Sequence, residues 1–238
     1  MFQKTANPFV VAMETEDVRA VFIRRTYLHL AGAILAFVAI EAALFSIPGI
    51  EERVFGLLST SRFSWLIVLG AFMLVSWIAD RWAHSATSLG VQYAGLALYV
   101  AAEALIFLPL LLYAAGVAGD FSLIMKAGVI TLGLFAGLTA VAFTTKKDFT
   151  FLGGFLKVGF FVALAIIVLG IFGNFDLGLW FSAAMVVLAG GSILFSTSKI
   201  IHHYQTTQYV AASLGLFASV ALLFWYVLRI VIALGGRD

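Results

Sequence analysis

Residues 153–173 read GGFLKVGFFVALAIIVLGIFG, twenty-one residues with Lys157 as the single charge. About 20 mostly apolar residues in helical form cross the hydrocarbon core of a bilayer. The run shows no alternation of apolar and polar positions, so it cannot be half of a membrane β-barrel. A helix satisfies its own backbone hydrogen bonds in lipid, and this stretch is expected to be one. Six more runs of the same kind flank it, near 27–47, 63–79, 89–113, 123–143, 178–198 and 209–234. Between them lie Pro48-Gly49 with Glu51, Glu52 and Arg53; Asp80-Arg81; Gly119-Asp120; Lys146-Lys147-Asp148; Asn174 with Asp176; and His202-His203. The expectation is an all-α integral membrane protein with seven transmembrane helices, preceded by a tail over 1–26, the membrane domain being 27–238.

Composition agrees. Of the 238 residues 63% are apolar and 11% charged, against about 25% charged in soluble domains, and the mean hydropathy is +1.09. The net charge of +2, with no basic stripe, argues against nucleic-acid binding. The absence of cysteine removes disulfides, thiolate metal sites and thiol nucleophiles. Lys4, Arg19, Arg24, Arg25, Arg81, Lys146, Lys147 and Lys199 fall on the side of the N-terminus, and Arg53, Arg62 and Arg237 on the other, eight against three. Positive charge is retained in the cytoplasm, so the N-terminus is expected inside and the C-terminus outside. The tail is no cleavable signal, because its charges run to Arg25 and a full-length span follows. Residues 15–26 are either a short interfacial helix or a soluble tail.

Ionisable residues inside spans are costly and point to function. Glu41 lies in the outward part of the first span and Glu103 near or just beyond the middle of the third; Lys126 and Arg229 lie nearer the far interface. Glu103, with Glu41, is expected to be balanced by Arg229 or by water in a cavity, and to line an ion or proton route; simple protonation is the alternative. Lys126 and Arg229 can instead snorkel. The histidines, His29, His84, His202 and His203, all fall near the N-terminal side and raise a zinc hydrolase as a competing class. No His-x-x-x-His pair with an intervening acid supports it, and no metal, cofactor or catalytic residue is assigned. Retinal binding would need a lysine buried in the seventh span, which has none. Gly133 and Gly137, with Gly153, Gly154 and Gly159, are expected to allow close helix packing. An odd span count disfavours transporters built on inverted repeats.

Three stretches are specific: residues 137–156, GLTAVAFTTKKDFTFLGGFL; 193–203, ILFSTSKIIHH; and 209–219, YVAASLGLFAS, leading to VLRI at 227–230. With RRTY at 24–27 and LPL at 108–110, they resemble the Bax inhibitor-1 family, including its bacterial YccA branch. The resemblance implies seven helices, the seventh surrounded by the other six. Some members of that family are pH-regulated calcium leaks in which two aspartates share a proton. The matching positions here are Ser196 and Ser219, so that switch does not carry over. Arg81 matches the basic residue that some relatives hold at the inner end of the second helix. The YccA branch binds and restrains a membrane-anchored AAA protease. The expectation is therefore a bacterial inner-membrane protein of membrane and ion homeostasis, a calcium or proton leak, with a protease modulator as the alternative; its partners are the lipid bilayer, calcium or protons, or that protease.

Overall fold

The computed structural model describes residues 10–61, 63–85, 88–145, 147–173 and 175–235. Lys4, Arg62, Lys146, Asn174 and Arg237, which entered the charge count and the breaks above, lie outside the described residues. Among those described, the chain forms α1 (Glu16–Phe45), α2 (Ile50–Ser59), α3 (Ser64–Ala83), α4 (Leu89–Ala118), α5 (Ser122–Thr144), α6 (Leu152–Gly173), α7 (Gly178–His202) and α8 (Tyr209–Gly235). All except the ten-residue α2 are long and apolar enough to cross a membrane, which makes seven spans. The chain is an all-α multi-pass membrane protein.

The expected spans recur with two extensions. α1 starts at Glu16 and runs unbroken through residues 16–26 into the first span. Glu16 and Asp17 sit in its first turn, where carboxylates favour the positive end of the helix dipole. Its buried positions, Phe22, Thr26, Leu30, Ala33, Phe37 and Glu41, follow a three-to-four-residue spacing, so one continuous stripe faces the bundle. α4 runs beyond 113 until Gly119 turns left-handed at φ 72°, a conformation that costs other residues a Cβ clash. The break after the first span is itself helical: α2 starts from Gly49 at φ 71° and carries Glu51 and Glu52 in its first turn.

α4 and α8 form the interior. α8 packs against α1, α3, α4, α5 and α7, whereas α6 lies mainly against α7. α6 reaches α8 through a small cluster of Ala163, Met185 and Tyr226. At the centre, the Phe107 ring meets Phe37 edge-on at 5.2 Å, Trp225 edge-on at 5.0 Å and Phe224 in a stack at 5.6 Å. Such pairs each add about 0.5–1.5 kcal/mol beyond burial, which matters because lipid provides no hydrophobic drive for helices to associate.

The close approach expected at Gly133 and Gly137 occurs elsewhere. A Cβ on either, or on Gly154, would meet nothing within 4 Å. At Gly95 it would lie 2.6 Å from both the Ala79 carbonyl oxygen and the Ala83 amide nitrogen, and Ala79 and Ala83 are fully buried. The small residues that bring backbones together therefore join α3 to α4. Gly153 and Gly159 do have tight neighbours, the Phe195 ring and the Leu188 side chain.

Candidate functional site

Polar groups gather around α8 midway through the bundle. Ser219 on α8 donates its hydroxyl proton to the Gly215 carbonyl one turn back, at 2.9 Å. Its two lone pairs then accept from Ser192 at 2.8 Å and Ser196 at 3.2 Å, both on α7, which fills the capacity of a hydroxyl. The two sequence-selected serines are thus brought together, with a third that sequence reasoning missed. Ser192 stands four residues before Ser196, on the same helix face; that spacing was the available signal.

Glu103 on α4 and Glu41 on α1 are each only 6% exposed. The Glu103 carboxylate faces the Tyr99 hydroxyl one turn earlier. The Tyr99 ring in turn meets Phe217 at 6.1 Å, two residues before Ser219. Phe37, one turn before Glu41, touches both Phe107 and Phe217, and Phe107 lies one turn after Glu103. The two acids and the serines are therefore grouped about one aromatic cluster, with Glu41 a turn beyond the Phe37–Phe107 contact and Glu103 a turn before it, about 12 Å apart along the helix axes. Neither Glu41 oxygen has a hydrogen-bond partner among the described residues, although both are fully buried. An unpartnered buried carboxylate costs several kcal/mol, and among the described residues no other carboxylate is buried with both oxygens unpartnered.

The basic candidates are elsewhere. Arg229 turns to the far end of the bundle and pairs with Asp176 in the α6–α7 connection at 3.6 Å. It is not the counter-charge of Glu103. Arg81 lies exposed at the end of α3, its guanidinium over the Trp77 ring at 4.2 Å.

At the N-terminal end a second set of polar side chains ties the helices together, which sequence reasoning did not find. Asp148, in the α5–α6 connection, accepts from Ser198 on α7 at 2.8 Å, from the Thr150 backbone amide at 2.9 Å, and pairs with His203 at 3.1 Å. Ser198 accepts from the Phe149 amide at 2.9 Å. Partial desolvation pushes the Asp148 carboxyl up, but the hydrogen bonds from Thr150, Ser198 and His203 outweigh it and hold the group below the usual carboxylate range. The order of contacts puts the acid between serine and histidine, so the histidine cannot take the serine proton as a triad requires. Nearby, His84 pairs with Asp80 at 3.3 Å and stacks on Tyr204; the Asp80 hydrogen bond raises the His84 pKa. Burial pushes the Tyr204 hydroxyl up to about 12. The segment before α1 closes this end: the Val11 amide donates to the Tyr204 carbonyl at 3.0 Å, Val10 bridges Gln205, and Val11 is fully buried. Among the described residues, no three His, Asp or Glu side chains stand close enough to hold a metal ion.

The model of the family described as "Inhibitor of apoptosis-promoting Bax1" matches residues 19–237. The chain belongs to the Bax inhibitor-1 family. It is 39% identical over 101 residues to the "Modulator of FtsH protease YccA" of Escherichia coli, covering 42% of this chain and 45% of that protein. It is 37% identical over 131 residues to an uncharacterized protein of Pseudomonas aeruginosa, covering 55% and 59%, and 33% identical over 118 residues to "Bax inhibitor 1" of Schizosaccharomyces pombe, covering 49% and 44%. The chain thus spans about half the length of the relatives it matches. Membership joins the family resemblance in the helix-connecting motifs to the positions just described: Asp148, Ser196, Ser198, His203 and Ser219 all lie in the stretches that carried it.

Proposed function

We propose that this Bax inhibitor-1 family member is a multi-pass protein of a bacterial inner membrane, with its N-terminal segment 1–26 in the cytoplasm, and that it passes protons or calcium along α4 and α8 rather than catalysing a reaction. The observation that supports this is the Glu41 carboxylate, buried and without a partner. A proton or a cation supplies the partner it lacks, and Glu103, about two turns nearer the N-terminal side, is the second station. Ser192, Ser196 and Ser219 are neutral lining groups that do not titrate in the working range. The test is flux of calcium and of protons into liposomes between pH 5 and 8. Glu41→Gln and Glu103→Gln are each expected to reduce it several-fold. Flux in the parent protein that neither variant alters would remove both acids from the path, and no flux at any pH would remove the leak.

A second reading is favoured by the identity to the E. coli modulator of FtsH protease: a non-conducting protein that restrains a membrane-anchored AAA protease through segment 1–26. It predicts co-purification with such a protease, lost on deletion of residues 1–9, which precede the Val10–Gln205 bridge. A complex that survives the deletion would exclude that end of the tail as the contact.

A further inference from the structure

Between α1 and α4, on the outer face of the bundle, runs an open groove of about 480 Å³ lined by Leu28, Gly32 and Ala36 on one side and Tyr93, Ala97 and Val100 on the other. A Cβ built on Gly32 would meet nothing within 4 Å, so no protein neighbour explains the glycine; the space beside it is left to something else. The groove extends from His29 to Ile40, eleven residues or about 16 Å at 1.5 Å per residue. That is close to half of a hydrocarbon core of about 30 Å, the length available to one acyl chain in one leaflet.

The mouth at the N-terminal end has a different character. His29 bridges the two walls: its Nδ1 is 2.7 Å from the Arg25 carbonyl oxygen and its Nε2 2.8 Å from the Tyr93 hydroxyl. With the Arg25 carbonyl able only to accept, Nδ1 carries the proton, and Tyr93 donates to Nε2. The His29 ring packs on Tyr209 at 5.0 Å, and the Arg25 guanidinium lies over the same Tyr209 ring at 5.6 Å. Arg24 and Arg25 are both exposed and neither has an ion-pair partner among the described residues. On α1 the acids nearest these arginines, Glu16 and Asp17, stand about two turns before Arg24, away from the groove, and Glu41 lies at the groove's opposite end. Guanidinium groups bind phosphate through paired N–H donors, and aromatic side chains with a polar tip settle at headgroup level.

We infer that this groove is a binding site for an anionic phospholipid, one acyl chain lying along Gly32 and Ala36 and the headgroup phosphate held by Arg25 at the His29–Tyr93–Tyr209 mouth. Two free arginines at the mouth and a narrow apolar channel behind them select for negative charge, beyond the general contact every membrane protein has with lipid.

The test uses the full chain reconstituted in vesicles of equal phosphatidylglycerol and phosphatidylcholine, extracted in mild detergent and weighed intact by native mass spectrometry. The parent protein is expected to retain a phospholipid, phosphatidylglycerol over phosphatidylcholine by roughly fivefold, the electrostatic preference that one basic residue gives near a membrane surface. Arg25→Gln keeps bound lipid but lets its composition fall to that of the vesicle. Gly32→Leu fills the channel and removes lipid of both kinds, while Leu35→Phe, on a lipid-facing position outside the groove, changes nothing. Thermal melting in lipid-free detergent verifies that each variant is folded; should Gly32→Leu fail this, Ala97→Leu fills the same channel from the α4 side. Parent protein with no bound lipid, or with lipid in the vesicle ratio, overturns the assignment, as does a folded channel-filling variant that still carries phosphatidylglycerol.

Discussion

Glu41 and Glu103 are equally buried but differently partnered, and the difference separates what their substitution does. Glu103 faces a tyrosine hydroxyl, whereas both Glu41 oxygens stand alone. Leucine at 41 removes an unsatisfied group and keeps the volume, so Glu41→Leu is expected to raise stability by about 1–3 kcal/mol, read as a higher melting temperature in detergent, while it abolishes liposome flux. A rise in stability with flux intact would show that the acid serves neither fold nor transport. Asp148 obeys the opposite rule. Its carboxyl is held below the ordinary range, so its contribution is present above an unfolded pKa of about 4 and fades as pH falls below that value. Asp148→Asn is therefore expected to melt a few degrees lower than the parent at pH 7 and to converge with it as the pH drops under 4. The deep acids were legible because a charge within an apolar run is conspicuous. The Asp148–Ser198–His203 contacts were not, since fifty residues separate the first two in the chain and nothing local links them. Arg229 was legible as a cation but not in its partner: a flexible side chain over a turn from its helix end chose exposed Asp176 rather than a deep acid.

At the scale of helices, glycine position decides which contacts tolerate bulk. Gly95→Ala places a methyl group against two backbone atoms of α3, which cannot yield as a side-chain tip would, and is expected to abolish the monodisperse peak in detergent chromatography. Gly133→Ala enters open space and should leave that peak unchanged, with a gain of up to about 1 kcal/mol from helix propensity. Equal loss in both would mean that glycine content, rather than the α3–α4 approach, governs assembly. The sequence pattern Gly-x-x-x-Gly pointed at α5 because spacing shows which residues share a face but not which face meets another helix. Helix ends also carry a pH response. His84 closes α3 with its pKa raised by Asp80, so the pair is fully formed below the ordinary histidine value of about 6.5 and is lost as pH rises through the higher folded value. His84→Asn should flatten the decline in melting temperature above pH 6.5. Span centres were readable from hydropathy alone; the first eleven residues of α1 were not, because charged residues interleave there with the Phe22 stripe that binds them to the bundle.

For the whole molecule, hydropathy gave the number of crossings, and lipid left helices as the only way to make them. It did not give the packing order, in which α4 shares the interior with α8 and α6 is peripheral, because every span looks apolar whether it faces lipid or protein. Seven crossings would place the two ends of the chain on opposite sides of the membrane, and the proposed function sets the N-terminal side, which carries more of the positive charge, in the cytoplasm. The lack of native cysteine makes this directly measurable. Lys147 in the α5–α6 connection and Glu52 in α2 are both exposed and sit at opposite ends of the bundle, so a cysteine at each reports one face. In intact bacterial spheroplasts a membrane-impermeant maleimide is expected to label Glu52→Cys and to reach Lys147→Cys only after the membrane is permeabilised. The reverse pattern would invert the orientation and place segment 1–26 beyond the reach of any cytoplasmic protease domain. Labelling of both positions in intact cells would contradict an odd number of crossings between them, since residues 52 and 147 are separated by α3, α4 and α5.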